Sequence, residues 1–160
     1  MFLLRRWFLL WLLMFWLGGF TFYAAVVVPI GTDVLGSSLQ QGAITRQVTN
    51  WLNLAGAATL GAWAVELVVS PAPTPLRQRL RWLSWCVMAV PLLALIVLHP
   101  LMAGLLDAPV LDKDTFRTLH RWYLWLSTVQ WAAGLLLSFM TLQTWRDADQ
   151  RFGERERPGR

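Results

Sequence analysis

Residues 7–28 contain no charged side chain. At ~1.5 Å per residue, a helix of that length crosses a hydrocarbon core of roughly 30 Å. Three more apolar stretches follow, at about residues 48–69, 82–98 and 117–145. Only 14% of the 160 residues are charged, and they fall mostly in blocks between these stretches. A soluble domain of this length has too little polar surface in such a chain to cover itself. In lipid, backbone polar groups must be satisfied within each segment, so each stretch is helical. The expected fold is therefore all-α: a single four-helix transmembrane bundle over residues 1–145, followed by a charged tail, 146–160, expected to fray.

The first stretch has a competing reading. Arg5 and Arg6 precede it and Ala24-Ala25 resembles a cleavage site, as in a secretory leader. Leader cores run only about 7–15 residues, and this one is longer and rich in tryptophan, which favours a retained span. Pro29 is expected to end it, and Gly18-Gly19 to allow a neighbouring helix to come close. Residues 29–47 then read as a polar loop. The second span carries Asn50, Asn53, Ala57, Gly61 and Ala64 at helical spacing. That face, polar then small, predicts a packing seam. Glu66 lies on another face, and its expected place is the membrane interface, among arginines.

Three prolines in residues 70–81 force a reversal, after which come Arg77, Arg79 and Arg81. Pro91 predicts a kink in the third span, because it removes a donor from the carbonyl near Val87. This span is expected to close at His99-Pro100, with Leu101 to Leu106 lying along the interface. Asp107, Asp112, Lys113 and Asp114 lead back into water, with Asp114 or Thr115 as cap of the last helix. In that helix His120, Tyr123, Ser127, Gln130, Gly134, Ser138 and Thr141 recur at steps of three and four. They form one polar stripe on a greasy background, which reads as interhelical glue turned toward protein.

Orientation follows from the basic residues. Arg5, Arg6, Arg77, Arg79, Arg81 and five tail arginines lie on one side; Arg46, Lys113, Arg117 and Arg121 lie on the other. The positive-inside rule then places both termini and the 70–81 turn in the cytoplasm of a bacterial inner membrane. The net charge of +5 is thus topogenic, and nucleic-acid binding is excluded as its reason. Eleven tryptophans suit a chain in contact with the headgroup region. Cys86 is the sole cysteine, so no intramolecular disulfide or CxxC motif exists.

His99 and His120 end and begin consecutive spans on the outer side, with Asn50, Asn53 and Tyr123 nearby. Two imidazoles from adjacent helices can ligate haem iron or hold copper or zinc with a carboxylate. The simpler reading has His120 bonded to a neighbouring helix and His99 capping its span, with no cofactor. No nucleophile elbow, zinc-protease or phosphate-loop motif occurs, so an enzyme is not expected. Three roles remain in order: a non-enzymatic accessory or scaffold subunit in a homo-oligomer or larger membrane complex; a metal-, haem- or small-ligand-binding protein using His99 and His120; and a small oligomeric transporter. The last needs Glu66 and Gln130 to face a cavity.

Gly18-Gly19-Phe20, Val27-Val28-Pro29 and the run from Phe116 through Leu119 and His120 to Arg121 carry a family resemblance. The chain resembles small bacterial members of the transmembrane-protein-205-like family (domain of unknown function 4149). The resemblance covers most of residues 7–145 and implies a four-span fold, with His120 as the residue to carry over. Gly19, Pro29, Phe116 and Leu119 would be framework positions. Tyr123 and the stretch Thr45–Asn53 depart from the family pattern. The resemblance implies no reaction.

Overall fold

The computed structural model describes residues 2–106 and 112–155; the side chains of Phe2, Ser38, Leu39, Glu154 and Arg155 lie outside that description. Four long helices follow one another. The first, α1, is built from Phe2–Leu13, π-helical Met14–Gly18, Gly19–Phe22, π-helical Tyr23–Val27 and Val28–Leu35. Then come α2 (Ser38–Val69), α3 (Pro75–Leu106) and α4 (Lys113–Arg155). All four are long and apolar enough to cross a membrane. The all-α four-helix bundle expected from the apolar runs is what forms.

The helices overrun the expected spans. Pro29 does not end α1, which continues to Leu35. A proline ring collides with the carbonyl four residues earlier. Here a π-helical turn, Tyr23–Val27, lies directly before it and changes the bonding register, giving the ring room. The real stop is Gly36, at φ 59°, whose N–H donates to Thr32 O. Ser37 caps α2 by accepting from Gln40 N. Residues 29–47 are thus a tight helical hairpin rather than a polar loop. Near the hairpin, α1 and α2 are joined by the Tyr23 hydroxyl, which donates to Thr45 Oγ1 at 2.9 Å.

At the opposite end Thr74 caps α3 and Pro75 is its first residue, so Arg77, Arg79 and Arg81 are helical. The helix runs unbroken through Pro91 and Pro100 to Leu106, so the kink expected at Pro91 is no interruption and the segment after His99 is no separate interfacial piece. In the Pro91 turn Gln130 of α4 donates to Met88 O at 3.0 Å. This bond ties α4 to the carbonyl next to Val87 O, the one that Pro91 deprives of its usual donor. Asp112, rather than Asp114 or Thr115, caps α4 by accepting from the Asp114 and Thr115 amides. Nor does α4 fray at Trp145; it continues to Arg155, because Asp147 pairs with Arg77 and Asp149 with Arg6. The start of α1, the last turns of α4 and the 70–74 turn therefore share one end of the bundle.

α3 and α4 share the most extensive interface, and α2 packs on α3 and on α1. The core is Leu9, Leu13, Trp16 and Leu17 of α1, Leu60, Trp63 and Leu67 of α2, Met88 and Leu92 of α3, and Ala133, Leu137 and Trp145 of α4. Of the seam expected on α2, Asn53 and Ala64 are half-buried and the rest lies outside this core. Asn50, Ala57 and Gly61 are exposed, whereas Thr49, Gly56, Thr59, Trp63 and Glu66 are buried. Close approach of α1 and α2 occurs at Gly56, against the Trp16 ring. Gly18 is exposed, and Gly19 meets Leu52 at ordinary distance.

The stripe on α4 turns inward over most of its length, with Tyr123 and Ser138 half-buried, but His120 at its start is exposed instead. Ser127, Gln130, Gly134 and Thr141 are buried, with Gly134 against Leu17 and Met88 and Thr141 accepting from Trp63 Nε1.

Two predictions follow from this packing. A Cβ at Gly56 would fall 2.8 Å from Trp16 Nε1, whereas one at Gly61 meets nothing within 4 Å. Gly56→Ala should cost about 1–3 kcal/mol by overpacking, and Gly61→Ala should leave stability equal or higher. Thermal unfolding in detergent reads both, and equal melting of the two variants would contradict the assigned helix faces. The second concerns Asp112, which lies outside the spans. Hydrogen bonds from the Thr115 side chain and backbone hold its carboxyl below the usual carboxylate range. Its folded value is lowered, so its capping is fully present above the ordinary carboxylate range and is lost as pH falls through the lowered value. Amide exchange at Asp114 and Thr115 should accelerate over that acid window in the native chain but show no such step in Asp112→Ala.

Candidate functional site

The densest polar constellation lies where the start of α1 and the last turns of α4 meet the 70–74 turn. Glu66, one turn from the end of α2, is 1% exposed. Its Oε1 accepts from Trp145 Nε1 of α4 at 2.6 Å, and its Oε2 lies 3.1 Å from Arg5 Nε of α1. Arg81 of α3, 0% exposed, adds a further positive charge acting on the carboxylate. Thus α1 supplies an ion pair and α4 a hydrogen bond to one buried acid on α2, with Arg81 of α3 as a further cation nearby. The expectation that Glu66 meets arginines is met, but inside the protein rather than at a wet interface.

Arg81 reaches this place for a local reason. Its Nη1 donates to Ser70 O at 2.7 Å and to Gln78 Oε1 at 3.2 Å, while Gln78 Nε2 donates to Leu67 O. These donors satisfy carbonyls at the end of α2, where a cation also suits the helix dipole. Gln78 Oε1 also accepts from Ala72 N, tying down the turn. Arg81 and Trp145 were not singled out from sequence. One signal was present: a carboxylate inside an apolar span demands a partner, and the arginines of the next connection were within reach.

The end of the bundle that carries the α1–α2 hairpin holds a different arrangement. A cleft of about 540 Å³ between α2 and α3 is lined by Arg46, Asn50, Asn53, Leu54, Ala57, Ile96, His99, Pro100 and Ala103. His99 is half-buried and lies beside the backbone of Arg46. Tyr123, half-buried near the start of the α4 stripe, lies beside Asn53 and Thr49 of α2. His120 instead is exposed and stacks on Phe116, with ring centroids 6.0 Å apart. No hydrogen bond or ring contact among the described residues joins the two imidazoles. The structure therefore brings His99 together with Asn50 and Asn53, and leaves His120 apart. Among the described residues no three of His, Cys, Asp and Glu gather in a way that could hold a metal ion. Asp107 lies outside the described residues.

Gln130 is spent on Met88 O and Glu66 on Trp145 and Arg5, so neither side chain lines the cleft. Asn50 and Glu66 are separated by about 24 Å along α2 at ~1.5 Å per residue. The α2–α3 cleft and the buried acid thus sit near opposite ends of the bundle. A second cleft of about 540 Å³ opens between α1 and α4 at the acid's end, lined by Arg6, Leu142, Trp145, Arg146, Asp149 and Gln150.

Comparison with family models, curated proteins and solved structures gave no match. The fold and chemistry define the class: a four-helix membrane protein with a charge-neutralised acid near one end and a polar cleft at the other.

Removing the acid isolates the effect of the cluster. Glu66→Ala leaves buried cations without their carboxylate and should destabilise by about 3 kcal/mol, less than the full range for buried pairs because the Arg5 side chain is 32% exposed. Trp145→Phe removes one donor to a charged group and should cost about 1.5–3 kcal/mol. Thermal melts of the detergent-solubilised variants test the assignment; a native-like melt for Glu66→Ala would refute a buried charge cluster.

Proposed function

We propose that the protein is a non-enzymatic accessory or scaffold subunit of a bacterial inner membrane, with both termini cytoplasmic, associating with itself or a larger membrane complex. The observation that carries this reading is the outward face of α2. Asn50, Ala57 and Gly61 point away from the core, although small residues and asparagines are what transmembrane helices place against other helices. Asn50 and Ala57 border the α2–α3 cleft, and a second helix laid along this face would cover them together with Gly61. The arginine bias toward the end that holds the start of α1 and the last turns of α4 supports the cytoplasmic assignment. Membership of the transmembrane-protein-205-like family is part of the same proposal, resting on the Gly18-Gly19 and Phe116–His120 motifs.

A photo-reactive residue at position 57 or 61 should crosslink to protein in native membranes. The same probe at the exposed, lipid-facing positions Val90 or Leu93 should give lipid adducts instead. Equal behaviour at all four positions would remove the basis for a partner on α2.

One observation favours a second reading, binding of a small ligand at the outer cleft through His99, Asn50 and Asn53. His120 would take no part, since it stacks on Phe116. An absorption spectrum and elemental analysis of the purified protein, beside His99→Ala and His120→Ala, separate the cases. A chromophore or metal lost only in His99→Ala supports the cleft; loss in both would require the two histidines to converge.

A further inference from the structure

The cleft between α1 and α4 takes no part in the proposed subunit role, and its chemistry points elsewhere. It holds two arginines, Arg6 and Arg146, against one carboxylate, Asp149. Asp149 is engaged by Arg6 Nη1 at 2.8 and 3.0 Å. The Arg6 guanidinium also lies 5.2 Å from the centroid of the Trp145 ring, while its buried Nε has no hydrogen-bond partner. Arg146 is exposed and has no ion pair or hydrogen bond among the described residues. The cleft therefore keeps an unmatched positive charge and unused guanidinium donors.

The apolar surroundings choose the ligand. Leu135, Phe139, Leu142, Arg146 and Gln150 follow one another at steps of four, three, four and four, and all are exposed. They form a single outward strip of α4 that is apolar toward the membrane interior and cationic, then polar, at its end. A molecule matching it has an alkyl chain and an anionic head at headgroup depth. The basic excess extends beyond the cleft: Arg79 and Arg151 at the same end are also exposed.

We propose that this cleft is a binding site for the phosphate ester of an anionic phospholipid, with the head at Arg146 and Arg6 and one acyl chain along Leu142 and Phe139. Guanidinium donors match phosphate oxygens, and basic pockets between helix ends collect anionic headgroups. The site is local, not a property of overall charge, and that distinction sets the test.

The full-length protein in mild detergent is titrated with phosphatidylglycerol or phosphatidylcholine, followed by native mass spectrometry and thermal unfolding. Arg146→Gln removes the cleft's unpaired cation; Arg79→Gln removes an equal charge from the same end but outside the cleft. Phosphatidylglycerol should bind in preference to phosphatidylcholine. Arg146→Gln should weaken that binding about fivefold, the factor expected for one basic side chain at an anionic surface. Arg79→Gln should leave it unchanged. Equal losses in both variants would reduce the effect to diffuse attraction and overturn the site, as would equal binding of the two lipids. Inorganic phosphate, added alone at millimolar concentration, should not stabilise the protein; if it reproduces the lipid's effect, the site serves free phosphate and the lipid assignment fails.

Discussion

A carboxylate cannot remain ionised against hydrocarbon, and the burial of Glu66 governs the packing of the bundle around it. Its position on α2 fixes the rotation of that helix. Trp63 and Leu67, on the same side, go inward with it, and Asn50, Ala57 and Gly61 are carried outward. Arg5 brings the start of α1 to the acid, Trp145 brings α4, and Arg81 brings α3. The desolvation of a buried ion is large, so these contacts contribute less to net stability than their number suggests. Their stronger effect is on specificity, because alternative rotations of α2 leave the charge without partners.

The sequence was most legible where lipid imposes a penalty. The stripe on α4 had to turn inward because Ser127, Gln130 and Thr141 are polar, and it does. The seam on α2 was misread because Ala57 and Gly61 cost nothing on either side; only Glu66, on another face, carried the deciding free energy. Helix ends were misjudged where a local device overrode the residue's usual effect. Pro29 ordinarily stops a helix, but the π-helical turn before it accommodates the ring. Residues 146–155 looked like a solvated tail because their charges are mixed, yet Asp147 and Asp149 face arginines on other helices. The two histidines could not be placed from sequence, since α4 turns His120 outward, away from the cleft that holds His99.

Tryptophan illustrates a similar double use. The abundance of this residue reads as an interfacial belt, and Trp7, Trp51, Trp122 and Trp125 are indeed exposed. Four others are interhelical donors instead: Trp63 to Thr141, Trp85 to Leu60 O, Trp131 to Thr21, and Trp145 to Glu66. An indole combines a large apolar body with a single N–H, so it fills the space between helices and fixes their register in one step. Between helices in lipid, where apolar contact alone gives little discrimination, such bonds select a partner surface.

The stitching of the charged end also has a consequence for the order of assembly. As the chain emerges from the ribosome, Arg5 can meet Glu66 once α2 has entered the membrane. Arg6 and Arg77 find Asp149 and Asp147 only after the last turns of α4 have been made. The first helix therefore waits, half-paired, through most of synthesis, and the ring of four is locked by its final segment. A bundle closed in this way has its latch in the last turns of α4, where removal of the segment from Asp147 onward would undo the ion pairs of α1 and α3 with α4 together.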